Sequence, residues 1–95
     1  MSEKKYAAIA AFLVERIQQS EVEQKYNFDL KAQSFKVQIP NDTLMLTVSE
    51  SLVEDFEIPR IIEFLEILRI PSLLIQRSHE IIFVGTEGVQ YLSRR

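Results

Sequence analysis

The stretch "SFKVQIPNDTLMLTVSESLVE", residues 34–54, decides how the chain is read. Phe35, Val37 and Ile39 alternate with Lys36 and Gln38, and Leu44, Leu46 and Val48 alternate with Met45 and Thr47. A period of two belongs to a strand with one buried face. Between the two runs stand Pro40, Asn41 and Asp42. Proline pre-sets φ at a corner, and Asn and Asp side chains bond their own backbone, so this is turn chemistry. Folding the runs back on each other puts all six apolar residues on one side, which predicts a β-hairpin. Ser51-Leu52-Val53-Glu54 then fits the S-x-x-E capping box, so a helix is expected to start near Leu52.

Upstream of the hairpin, about Glu3 to Gln24 reads as a helix, with Tyr6, Ile9, Ala10, Leu13 and Ile17 on one face. From Phe28 the period changes to two, but the phase slips at Ser34–Phe35. Phe28, Leu30 and Ala32 therefore cannot share a face with Phe35, Val37 and Ile39 in one regular strand. A bulge near Ser34 or a turn between two strands would resolve the slip. The bulge or a loose lead-in is preferred, because no Gly or Pro marks a sharp turn.

Downstream, Pro59 either interrupts the helix or opens a second one. Ile58, Ile61, Ile62, Leu65 and Leu68 form an inner face, Arg60, Glu63 and Glu66 an outer one with Ile67 among them, and Pro71 is expected to end the helix. Leu73–Ile75 and Ile81–Val84, joined by "QRSHE", read as a second hairpin buried on both faces. Thr86 is expected to cap a last short helix, Glu87 to Ser93. The expected fold is one small α+β domain over residues 1–95, ordered α-β-β-α-β-β-α. It is a two-layer sandwich of a mainly antiparallel four-stranded sheet with helices packed on one face.

Composition narrows the function classes. Of the 95 residues, 46% are hydrophobic and 26% charged, the balance of an ordinary globular domain. There is no cysteine, which removes disulfides and thiolate metal sites. The net charge of −3 argues against broad phosphate-backbone binding, so nucleic acid is not expected as a partner. The basic pair Arg94–Arg95 is expected to fray. No apolar run approaches the ~20 residues of a membrane span. Lys4 and Lys5 before the apolar stretch Tyr6–Val14 imitate a signal peptide, but the stretch continues on helical spacing into Glu15 and Arg16 with no small-residue cleavage site. The expected location is the cytoplasm.

Three constellations could carry chemistry. Gly85, Thr86 and Gly88 form a G-x-x-G loop after an apolar run and are the ligand-loop candidates. The chain has neither a Gly-Lys-Ser/Thr phosphate loop nor the three-glycine dinucleotide pattern, and Glu87 inside the loop repels phosphate, so a tight corner is the better reading. His79, the lone histidine, sits beside Ser78 and Glu80, yet catalytic triads assemble from distant segments. Glu54, Asp55, Glu57, Glu63 and Glu66 follow a solvated helix face, not a cation loop. No catalytic residue, cofactor or metal is assigned, and the chain is not expected to be an enzyme.

Two resemblances bear on function. "SLVEDFEIPRIIEFLEIL" followed by a wing at Leu73–Val84, with the closing "GTEGVQYL", resembles the Thr-Glu-x-Gly-x-x-x-Leu wing exit of winged-helix regulators, one residue short in its Thr-to-Gly spacing. That covers about the last 45 residues and implies DNA binding. The helix it would use for recognition offers Arg60, Glu63, Glu66 and Arg69 and no Lys, Asn or Gln. If residues 28–34 form their own strand, the order α-β-β-β-α-β-β-α is similar to the specialised type III secretion chaperones. Those are acidic dimers that hold an unfolded effector segment. Independently, Phe12, Phe64 and Ile67 are apolar beyond what one small core needs, which makes them the candidate interface. The expected function is a protein–protein interaction or regulatory module that self-associates as a homodimer.

Overall fold

The computed structural model describes residues 2–94. It is an α+β fold of four helices and a five-stranded mixed sheet. The elements run α1 (Glu3–Arg16), β1 (Glu21–Asn27), β2 (Ala32–Ile39), β3 (Asp42–Ser49), α2 (Glu50–Asp55), α3 (Ile58–Ile67), α4 (Ile70–Gln76), β4 (Glu80–Gly85) and β5 (Gly88–Ser93). Strand order in the sheet follows the chain, β1-β2-β3-β4-β5. All neighbours are antiparallel except β3 and β4, which pair in parallel, Met45 beside Ile81 through Val48 beside Val84.

The hairpin of residues 34–49 forms as its pattern requires. Phe35 pairs with Leu46 and Val37 with Leu44, so the alternating apolar residues share one face. That face and the helices bury one continuous cluster: Ile9, Phe12 and Leu13 of α1, Leu52 and Val53 of α2, Ile61 and Leu65 of α3, Ile70 and Leu74 of α4, and Ile82 and Val84 of β4. Tyr6 meets Phe35 edge to face with ring centres 6.4 Å apart. Lys5 Nζ donates to the Val53 carbonyl at 2.8 Å, satisfying the C-terminal end of α2 from the first turn of α1.

Elsewhere the expected four-stranded, mainly antiparallel sheet is corrected to five strands with a parallel pair, for four local reasons. First, α1 stops at Arg16, not near Gln24: Ile17 is already extended and Gln19 takes φ 57. Glu21 to Gln24, read as helix tail, instead open the edge strand β1, with Val22 packed on the core. The phase slip at Ser34 is therefore no bulge. A turn at residues 28–31 separates β1 from β2, closed by the Leu30 N–H donating to Asn27 Oδ1 at 3.0 Å and by Lys31 at φ 50. The Asn27 side chain bonding the backbone ahead of it, with Lys31 in the left-handed region, does here what Gly or Pro would do.

Second, Ser49 and not Ser51 caps α2: its Oγ accepts from the Leu52 N–H at 3.2 Å, so the helix begins at Glu50. Third, Pro71 does not end a helix but lies in the first turn of α4, after Arg69 has turned the chain at φ 56. Leu73–Ile75, read as a strand, belongs to α4, whose buried residues Ile70 and Leu74 are spaced one helical turn apart. Fourth, Thr86 caps no helix. Thr86–Glu87 is a two-residue connection between paired Gly85 and Gly88, and Glu87–Ser93 is taken up by the turn and β5. The "Leu73–Val84" wing of the winged-helix reading is thus a helix followed by an interior strand.

The two capping readings separate in a urea titration. Ser49→Ala is expected to lower stability by about 1 kcal/mol, whereas Ser51→Ala, on an exposed helix position, stays within about 0.5 kcal/mol of the parent. Leu46→Ala, at the centre of the cluster, costs about 2–5 kcal/mol by the same measurement.

Candidate functional site: the open face of the sheet

Residues directly opposite each other on neighbouring strands share a face, so the register assigns every side chain to one side. On the side opposite the core cluster, two rows cross all five strands. One runs Glu23–Lys36–Met45–Ile81–Leu92 and the other Lys25–Ser34–Thr47–Phe83–Gln90. Toward β1 the face is charged, with Lys36 Nζ 3.9 Å from Glu23 Oε1. Toward β5 it presents the apolar residues Met45, Ile81, Phe83 and Leu92, with Gln90 exposed at the β5 end of the second row. None of these four belongs to the core cluster or packs against it. Thr47, between them, is buried, and its hydroxyl lies 3.4 Å from that of Ser34. A face with water on one side normally alternates apolar and polar; here the interior strand β4 is apolar on both faces.

The residues expected to form an interface are placed differently from one another. Phe12 is 4% exposed within the core, with the Arg16 guanidinium 4.9 Å above its ring. Phe64 is half-buried and edge-on to Phe56, ring centres 5.8 Å apart. Ile67 is 70% exposed on α3. Only Ile67 of the three is open to solvent. The four apolar residues of the open face were missed as a group, although the unbroken run Ile81-Ile82-Phe83-Val84 signalled a strand apolar on both sides.

Gly85, Thr86 and Gly88 lie together at the β4–β5 turn, beside a recess of about 230 Å³ that Phe83, Glu87, Val89 and Gln90 also line. The glycines have different reasons to be there. Gly88 sits at φ +124 with open space around it, whereas a Cβ on Gly85 would meet Phe83 at 3.6 Å and Ser49 Oγ at 3.8 Å, ordinary contact distances. Backbone conformation, not close approach, requires glycine at 88.

At the opposite end of the sheet Asp42, Ser78, His79 and Arg94 converge. The Thr43 N–H donates to Asp42 Oδ1 at 2.7 Å. That bond first and the Ser78 hydroxyl second, helped by the fields of His79 and Arg94, hold the Asp42 carboxyl below its ordinary range against the opposing effect of burial. Arg94, expected to fray, donates instead to the Thr43 carbonyl and ties the end of β5 to the start of β3; Arg95 lies outside the described residues. His79 is exposed in the turn before β4. The cluster ties strand ends together.

Among the described residues, no group of three or more His, Cys, Asp or Glu side chains could hold a metal ion, and no helix is long and apolar enough to cross a membrane. Comparison with protein-family models, with curated proteins and with solved structures finds no match.

Two substitutions test the glycine turn. Gly88→Ala is expected to destabilise by about 1 kcal/mol or more because alanine resists positive φ, while Gly85→Ala changes the urea midpoint little. The Asp42 carboxyl has a lowered folded pKa, so its contribution is complete above the ordinary aspartate range and is lost as pH falls through the lowered value. Asp42→Asn should therefore lower stability at neutral pH and flatten the acid limb of a stability–pH profile.

Proposed function

We propose that the chain is a non-enzymatic protein–protein interaction module that works as a cytoplasmic homodimer. In this reading the fold is a two-layer sandwich, its helices covering one face of the sheet and the other face free for contact. One observation carries the reading: Met45, Ile81, Phe83 and Leu92 form an apolar field on that face, outside the core. Apolar area in water costs about 25 cal/mol per Å² that association recovers. The charged residues Glu23, Lys25 and Lys36 border the field on one side, which gives the apolar centre and polar rim of a contact surface. The apolar stretch Tyr6–Val14 contributes Ile9, Phe12 and Leu13 to the core, which supports its reading as part of the folded domain.

A second reading, in which the partner is an extended polypeptide segment held as secretion chaperones hold theirs, is favoured by one feature. Three consecutive strands, β1 to β3, stand between α1 and α2 as that resemblance requires. The chain departs from it in having three helices between β3 and β4 and a strand where the last helix would be. The DNA-binding reading loses its wing, and Arg60 on its recognition helix lies over the Phe56 ring at 5.1 Å.

Light scattering is expected to return twice the 11.1 kDa chain mass, together with fluorescence from a dye that reports exposed apolar surface. Phe83→Glu should keep that mass and remove most of the dye signal. A monomer, or a dimer that binds no dye, overturns the proposal, and retention of duplex DNA on a gel would favour the winged-helix alternative.

A further inference from the structure

The two edges of the sheet are built differently. An edge strand exposes a row of free N–H and C=O groups, and proteins blunt such edges with charge, proline or bulges. β1, "EVEQKYN", carries Glu21, Glu23 and Lys25. β5, "GVQYLS", carries no charge and no proline, and it pairs with β4 residue for residue from Gly88 to Ser93 without a bulge. A two-residue connection closes on a hydrogen-bonded pair, here Gly85 and Gly88, and bonded and non-bonded pairs then alternate. Val89, Tyr91 and Ser93 consequently turn their backbone groups outward. Among the described residues no other segment pairs with that edge.

We infer that β5 pairs antiparallel with β5 of a second copy about a two-fold axis at Tyr91, joining the two sheets into one. The inference rests on the homodimer reading and specifies where the copies meet. In this register Tyr91 faces Tyr91 of the second copy, and Val89 and Ser93 face each other in both directions, so every outward-turned residue is paired.

Two further properties of β5 fit a copy of itself better than an unrelated strand. Tyr91, 41% exposed, is backed by Arg77 at 3.8 Å from its ring centre. That guanidinium is balanced by Glu80 at 2.7 Å, so two tyrosines meet without opposing bare charges. Finally, Leu92 ends the row Met45–Ile81–Leu92. Pairing at β5 therefore sets Leu92 of each copy opposite Gln90 of the other, brings the two Met45–Ile81–Phe83 fields to either side of that seam, and leaves the charged β1 halves as two outer rims.

The chain has no cysteine, so single thiols report the geometry cleanly. Hydrogen-bonded antiparallel partners lie about 5.5 Å apart at Cα, within disulfide reach. Mild oxidation is expected to convert Tyr91→Cys to a covalent dimer on a denaturing gel and to leave Met45→Cys uncross-linked. Tyr91→Lys, which sets like charges opposite each other and removes the aromatic contact, should weaken dimerisation about tenfold, with an unchanged circular dichroism spectrum. A parent protein that scatters as a monomer overturns both the homodimer reading and this inference. A protein with the mass of a dimer in which Tyr91→Cys does not cross-link, or in which Met45→Cys does instead, overturns this inference alone.

Discussion

The pairing of β2 with β3, Phe35 opposite Leu46 and Val37 opposite Leu44, is the constraint on which the rest of the molecule depends. A slip of one residue would turn Leu44, Leu46 and Val48 to the side of the sheet opposite Phe35 and Val37. With the register as it is, those residues create the apolar floor that α1 and the three later helices cover. Each helix here is short, and helices of such length gain their stability from packing an apolar face more than from intrinsic propensity. The floor thus comes before the helices in the order of dependence.

The parallel pairing of β4 with β3 is the second constraint. Parallel neighbours cannot be joined by a tight turn, so the chain must cross from the end of β3 to the start of β4 over the sheet. The segment from Glu50 to Gln76 does this as three short helices, bent by Pro59 and Pro71 in their first turns and by Arg69 at φ 56. The consequence reaches the proposed contact surface. Because the crossover lies on one face, it supplies core partners to Ile82 and Val84 and none to Ile81 and Phe83. An interior strand apolar on both faces is thereby covered on only one. The antiparallel return through Gly85–Gly88 then places β5, uncharged, at the edge beside that uncovered field.

Much of this was legible wherever a local rule and the tertiary demand agreed. The hairpin at residues 35–48 combined a clean period of two with turn residues, and its register follows from them. The helical stripe of α1 as far as Ile17 and the outer face Arg60, Glu63, Glu66 of α3 were equally plain. Misreading arose where two structures share a local signature. Leu73–Ile75 is too short for its apolarity to separate helix from strand, and only Ile70 and Leu74 packing into one cluster decides for α4. Phe28 and Leu30 imitate a strand's alternation while lying exposed in a turn. The candidate interface residues Phe12, Phe64 and Ile67 were chosen for apolarity alone, which cannot say that Phe12 lies inside the core.

By itself, the sequence determined the α+β class, the β2–β3 hairpin with its buried face, the absence of thiol chemistry and the acidic balance. Each of these is a property of composition or of neighbours a few residues apart. Only the tertiary structure decided that β4 pairs in parallel beside β3, that β1 and β5 form the edges, and that Met45, Ile81, Phe83 and Leu92 meet on the face opposite the core cluster. Those four come from three strands as much as 47 positions apart. Alternation tells which side of its own strand a residue takes, but not which side of the sheet the helices will choose. That choice is made when the crossover packs, by the sum of apolar area it can remove from water.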